Sequence, residues 1–211
     1  RPLLEAAMAA DSRIQVVFRE RNGHICASSN SALELVQAPW LALLDHDDLL
    51  PDDALIWVAQ AIQAHPEARL FYSDEDKISP DETRFDPYFK GDWNPLLMQA
   101  QNTFSHLGVY STALVRSVGG FREGFEGSQD HDLVLRCSER LRRDQIVHIP
   151  RVLYHWRVHP ESTAGGAQAK PYTVKAAERA ITEHLQRQQL PLQAVGWSPL
   201  GFRAELALPE T

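Results

Sequence analysis

The sequence predicts an α/β fold built on a mixed, mostly parallel sheet flanked by helices. Three observations predict it. Short β-rich or apolar runs at 14–18, 40–44 and 69–73 alternate with helical patterns at 28–37 and 53–65. Such alternation implies right-handed crossovers. The run 41–44 ends abruptly in Asp45, Asp47 and Asp48, as a strand buried on both faces does when it leaves the core. The segment 53–65 carries Leu55, Val58, Ala59 and Ile62 at helical spacing, with Pro66 beyond its end.

Taken in order, residues 2–10 are rich in Ala and Leu and read as a helix. Residues 14–18 read as a strand. Arg21-Asn22-Gly23-His24 is a polar turn. The helix at 28–37 opens on Ser28, Ser29, Asn30 and Ser31, which suit capping and equally suit an anion at a helix start. Pro39 ends it, and the strand 40–44 follows. After the helix 53–65 and the strand 69–73 comes Asp74-Glu75-Asp76-Lys77, either a solvated turn or part of a site. Residues 79–92 form a long polar loop carrying Phe85, Tyr88 and Phe89, and loops of that length tend to be functional. A short helix is expected at 96–101, a strand at 106–110 and a short helix at 112–118. Gly119-Gly120 stops the last of these. The helix that follows Gln129-Asp130-His131-Asp132 runs to about 142, with Leu133, Val134, Cys137 and Leu141 on its buried side. Two strands, 145–149 and 152–156, flank Pro150-Arg151. The helix 172–189 turns Val174, Ala177, Ile181 and Leu185 inward. Residues 1–190 form one domain, and 191–211 are a tail or linker.

Composition narrows the function. Hydrophobic residues make up 44% of the 211, ordinary for a globular domain with its own core. The net charge of −7 argues against nucleic acid as a partner, because such proteins show a basic face. No run approaches the ~18 apolar residues of a membrane span. Cys26 and Cys137 are read as reduced core thiols. The opening at Arg1, without Met and inside a helical pattern, is read as an N-terminal truncation.

Three polar clusters carry the chemistry: Asp45-Asp47-Asp48, Gln129 to Asp132, and Arg157 to Ser162. Three acids in four residues repel one another unless a cation compensates, and a hard divalent ion is the simplest compensation. Asp52 and Asp53 are explained by the start of the next helix; Asp45, which abuts the buried run, is not. Asp130 reads either as a helix-dipole acid or as a base. Arg157 and His159 read as a polar loop or as ligand groups, since neutral imidazole binds divalent ions. Together the clusters would suit displacement at a carbon bearing a diphosphate leaving group, with a metal neutralising that group.

These residues resemble the family 2 glycosyltransferases with the GT-A fold, in particular bacterial surface-polysaccharide enzymes. The matching stretches are 18–25 around Arg21-Asn22-Gly23-His24, 27–33 around Ser28-Ser29-Asn30, and Ala42-Leu43-Leu44-Asp45-His46-Asp47-Asp48-Leu49-Leu50-Pro51, the family's DxD region. Tyr72 to Lys77, Val118 to Leu133 and His148 to His159 complete them, in the family's order. The resemblance implies inverting, metal-dependent sugar transfer from a nucleotide-sugar donor to a saccharide or lipid-linked hydroxyl acceptor, in polysaccharide or lipopolysaccharide assembly. It implies Asp130 as general base, Asp45, Asp47 and His159 around Mn²⁺ or Mg²⁺, and Arg21, Asn22, Asn30, Asp45 and Arg157 around the nucleotide. Asp76 and Trp93 are expected near the sugar or acceptor. It implies a cytoplasmic location, possible attachment at the inner membrane face, and a second glycosyltransferase unit in a parent protein. The family's usual acid before the base is Gln129 here. The strand and helix with which the family begins have no counterpart in the sequence. Two alternatives are an inactive, excised fragment that only binds, and a phosphatase of the haloacid dehalogenase type with Asp45 as nucleophile.

Overall fold

The computed structural model describes residues 1–158, 171–198 and 201–206. Its centre is β2 (Leu70–Ile78). Along one side β2 pairs in parallel with β5 (Ile146–Arg157). Along the other side its first half meets β4 (Gly108–Ser111) and its second half meets β3 (Arg84–Tyr88), both antiparallel. The edge strand β1 (Trp40–Ala42) pairs antiparallel with β4. Thus β1, β2 and β5 share one direction, as the alternation predicts, and β4 is a reversed strand inserted between β1 and β2. The sheet is mixed for that reason, and its hydrogen-bonded neighbours are antiparallel everywhere except β2–β5.

Side chains alternate across β2. Leu70 and Tyr72 enter one core with Tyr110, Leu133, Ile181 and Leu185, beneath α6 (Gln129–Ser138) and α7 (Pro171–Arg187). Phe71 enters the other core with Val58, Leu153 and Tyr154, beneath α3 (Ala54–Ala64). Each fully buried aliphatic side chain contributes roughly 1.5–3 kcal/mol. Cys26 and Cys137 are both buried and unbridged, and burial pushes each thiol up to about 12. Among the described residues no helix is long and apolar enough to cross a membrane.

The structure departs from the expected elements in several places. Residues 14–18 form no strand; Ile14, Val17 and Phe18 are exposed, and a β-rich segment without a ladder partner gains no strand hydrogen bonds. The helix expected at 28–37 begins earlier, as α2 (His24–Leu35). The loop 79–92 contains β3, whose five residues are all exposed. The two strands around Pro150 are one strand, β5. Ser73 pairs with Ile149 and Asp74 with Val152, so Pro150 and Arg151 bulge out of the ladder, where a residue without an N–H is tolerated. The tail also has structure, an antiparallel hairpin of β6 (Leu192–Ser198) and β7 (Gly201–Leu206).

Helix α6 is held by charge. Asp132 is fully buried and accepts from Arg122 and from Arg136 Nε at 2.9 Å. Arg136 also donates to the Val118 and Gly120 carbonyls, each at 2.7 Å. A buried carboxylate with two guanidinium partners fixes the first turn of the helix. Behind it, Glu139 accepts from His184 and Arg187 of α7 at 2.7 Å. Burial works against the ionised Glu139, but those two partners outweigh it and hold its pKa below the usual carboxylate value. A depressed carboxylate stabilises the fold above its unfolded pKa of ~4.3 and loses that contribution as pH falls through the native value. Glu139→Gln is therefore expected to flatten the acid side of the stability–pH curve, measured as the urea midpoint below about pH 5; an unchanged curve would show the α6–α7 clamp to be neutral.

Candidate active site

The acids after β1 divide into two kinds. Asp48 turns inward: Tyr154 Oη donates to its Oδ2 and the Arg157 amide to its Oδ1, the latter at 2.7 Å. The Leu49–His155 bridge ties the same loop to β5, with N···O distances of 3.2 and 2.9 Å. Arg157 Nε donates to the Asp47 carbonyl at 2.8 Å, and the Asp45 amide to Tyr154 Oη at 3.3 Å. Asp48 thus anchors the loop, and Asp45 is presented to an adjoining cleft. Tyr154→Phe removes a charge-assisted bond to a buried carboxylate. It is expected to cost roughly 1.5–3 kcal/mol in urea unfolding, and no loss would show the tyrosine to be dispensable.

The cleft is a cavity of about 100 Å³ walled by Leu43, Asp45, Ser105, His106, Phe121 and Asp130. Its walls desolvate the Asp45 carboxyl and raise its pKa; His106 opposes this, and Asp48, Asp130 and Asp47 add to it. Two clusters separated by 85 positions are therefore neighbours. Within the second cluster the side chains separate. Gln129 accepts from the Gly127 amide at 2.7 Å. His131 is buried against the Met98 carbonyl at 2.8 Å, and burial keeps its pKa low. Asp132 lies in the arginine cage, and Asp130 faces the cleft. Asp130 Oδ2 accepts from Asn102 at 2.8 Å and from Ser105 at 2.7 Å. Among the described residues, Oδ1 accepts no hydrogen bond.

Other residues singled out in the sequence fall as follows. Arg21 is exposed beside the α2 start. Asn22 accepts from the His24 amide at 2.9 Å. Asn30 exchanges two hydrogen bonds with the Phe121 backbone, each 2.8 Å. Gly120, at φ +69, lies so close that an added Cβ would meet Asn30 Oδ1 at 2.5 Å. Asn30 therefore locks α2 to the turn before α6. Asp76 is buried and accepts from His155 Nδ1 at 2.5 Å and from Arg84 Nε at 2.7 Å. Trp93 is buried edge-to-face on Tyr72, 6.4 Å between centroids. Both were expected near the sugar or acceptor; in the structure their side chains brace the sheet and the core. His159 lies outside the described residues.

Among the described residues no three His, Cys, Asp or Glu side chains gather as a preformed metal site. Asp45 and Asp47 nevertheless fit a hard divalent ion in the manner of Mg²⁺, which is commonly held by one or two carboxylates plus substrate phosphates. The Asp45 pKa is raised first by desolvation, and the smaller repulsion from Asp48, Asp130 and Asp47 is the part that such an ion would relieve.

Sequence reading missed a supporting layer. Glu75 accepts from the His106 amide at 2.5 Å and contacts its Nδ1 at 3.1 Å, with Lys90 Nζ 3.8 Å away. The His106 ring stacks on Tyr154 at 4.5 Å. Burial disfavours the imidazolium, but Glu75 and then Asp130 outweigh it, so the His106 pKa is raised. Period-two alternation could have found Glu75, because it must face away from Asp74 and Asp76.

Comparison with known proteins follows from this geometry. The family model described as Glycosyl transferase family 2 matches residues 1–118. The chain is 53% identical over 199 residues to the uncharacterized protein y4gI of Sinorhizobium fredii, covering 93% of this chain and 22% of that protein. It is 34% identical over 201 residues to the O-antigen biosynthesis protein RfbC of Myxococcus xanthus, covering 95% of this chain and 16% of that protein. The chain thus spans about a fifth of the length of these relatives. Among solved structures, S. aureus TarS 1-349 in complex with UDP-GlcNAc matches with a TM-score of 0.66 at 18% identity, over 88% of this chain and 54% of that one. The mannosyltransferase PcManGT from Pyrobaculum calidifontis, in complex with GDP-Man and Mn²⁺, matches with a TM-score of 0.57 at 13% identity, over 89% of this chain and 50% of that one. At these identities the likeness is one of fold.

Proposed function

We propose, from the premise that this chain belongs to glycosyl transferase family 2 and has the GT-A fold, that it transfers a sugar with inversion from a nucleotide-diphosphate sugar to a hydroxyl acceptor. The observation that carries this reading is the shared cavity of Asp45 and Asp130. One carboxylate stands where a donor diphosphate and its metal would be held, the other where an attacking hydroxyl must lose its proton. The acceptor oxygen forms a bond to the anomeric carbon, the bond from that carbon to the diphosphate oxygen breaks, and Asp130 Oδ1 takes the hydroxyl proton. Asn102 and Ser105 hold Oδ2, which aims the free oxygen. The anomeric carbon gains oxocarbenium character, as in glycoside hydrolysis. Asp45 and Asp47, with His159, would hold Mn²⁺ or Mg²⁺, which supplies charge neutralisation at the leaving diphosphate.

Asp48, Tyr154 and Arg157 keep the acid loop against β5, and Arg157 lies beside the diphosphate position. Arg21, Asn22 and Asp45 of the proposed nucleotide set are exposed. Family membership displaces the phosphatase reading. A place in polysaccharide or lipopolysaccharide assembly is supported by the O-antigen biosynthesis relative; a saccharide or lipid-linked acceptor at the cytoplasmic membrane face and a further glycosyltransferase unit in a parent protein belong to the same proposal. The test is a screen of the intact protein against nucleotide-sugars with Mn²⁺, read by nucleoside diphosphate release and by the anomeric configuration of the product. Release without inversion overturns the mechanism, and no release from any donor overturns the function.

A further inference from the structure

Asp130 lines a second cavity, away from Asp45. It holds about 280 Å³ and is walled by Asn102, Asp130, Thr173, Trp197 and Phe202. One wall is the hairpin β6–β7, which lies beyond the residues matched by the family model. Trp197 and Phe202 are paired across the hairpin. Phe202 packs on the main core, while Trp197 leaves 47% of its surface exposed. The hairpin is pressed onto the helix α4 (Pro95–Ala100): an added Cβ at Gly201, whose φ is +110, would meet the Ala100 carbonyl at 2.4 Å. A register shift falls between Val195 and Trp197 in the hairpin ladder. The result is a large indole held on a braced hairpin beside a carboxylate.

We infer that this second cavity is a saccharide subsite in which Trp197 stacks on one face of a pyranose ring and Asp130 receives one of its hydroxyls. The volume suits one ring. A pyranose has an apolar C–H face and a polar rim. Its recognition therefore calls for an aromatic plane plus a few placed polar groups, which is the general form of a small-molecule site. Asn102 and Gln101 supply polar atoms on the rim. Asp130 stands in the walls of both cavities, so a ring seated on Trp197 offers its hydroxyl to the carboxylate from the side opposite the acid loop. This inference rests on the reading of Asp130 as the base, and it assigns the acceptor's ring to the hairpin.

The test is titration of the intact protein with methyl glycosides of glucose, galactose, mannose and N-acetylglucosamine, with and without UDP and Mn²⁺, followed calorimetrically. At least one glycoside is expected to bind saturably. Trp197→Ala is expected to weaken it by about 5–10-fold, an aromatic contact's worth, and Trp197→Phe to recover most of the loss. UDP affinity should be the same in all three proteins, which also shows that the variants are folded. In transfer assays the acceptor KM should rise while donor hydrolysis without acceptor is unchanged. Equal glycoside binding by the parent and Trp197→Ala, or no saturable binding by the parent, overturns the subsite. Failure of UDP and of other nucleoside diphosphates to bind the parent counts against the donor reading instead, so the two failures are separable.

Discussion

Replacing Asp130 with Asn is expected to lower sugar transfer by roughly 10²–10⁴-fold, the usual range for a positioned general base, while nucleotide binding is unchanged. The substitution keeps an acceptor oxygen for the Asn102 and Ser105 donors that now reach Oδ2 at 2.8 and 2.7 Å. It keeps the helix as well, because the first turn of α6 is fixed by Asp132 in its arginine cage. What it removes is the ability to take a proton. The loss should therefore appear in kcat, with little change in donor KM, the pattern of an interaction made in the transition state. Normal transfer by this variant would place the base elsewhere in the cleft.

How far such a site is legible from sequence depends on what each residue type reveals. The run into Asp45 was legible as a strand that ends in charge, but its burial was misread: β1 is a short edge strand of half-buried and exposed residues, and Leu44 leaves 52% of its surface exposed. The joining of Asp45 to Asp130 was not readable from spacing; it came from the resemblance, and the fold brings the two together across 85 positions. Strand direction was the weaker inference, since β4 runs opposite to its neighbours and nothing local marks a strand as reversed. An edge strand such as β3, exposed at all five residues, shows no apolar alternation. Pro150 reads as a strand end, yet a bulge carries it through β5. Side-chain partners were the least legible feature. Asn30, Asp76 and Trp93 are polar or aromatic residues of the kind that meet ligands. Each has a structural partner that no spacing announces: the Phe121 backbone, the pair His155 and Arg84, and Tyr72. Glu75, one residue before Asp76, faces the cleft side and holds His106. In a strand one position decides between the two faces.

Asp45→Asn and Asp47→Asn should change nucleoside diphosphate binding in opposite directions with and without Mn²⁺. With the ion, each substitution removes an oxygen ligand of full charge. Loss of even an outer-layer partner costs 10–100-fold in metal affinity, so a loss of about 100-fold in Mn²⁺-dependent UDP or GDP binding is expected. Without the ion, each carboxylate only repels the diphosphate. Two unit charges about 4 Å apart interact by ~1 kcal/mol in bulk water, so metal-free binding should strengthen by several-fold. Calorimetric titration with Mn²⁺ and then with EDTA reads both signs. Asp45→Asn has a third signature. The cleft raises the Asp45 pKa by desolvation, with Asp48, Asp130 and Asp47 adding repulsion. A carboxyl whose native pKa lies above its unfolded value destabilises the fold once pH exceeds the unfolded value, and fully so above the native one. Asp45→Asn should therefore melt higher than the parent at neutral pH without metal, and Mn²⁺ plus nucleotide should close that gap by stabilising the parent alone. Equal Mn²⁺-dependent affinity in the parent and both variants would remove the metal from the acid loop and leave Asp45 and Asp47 with no part in donor binding.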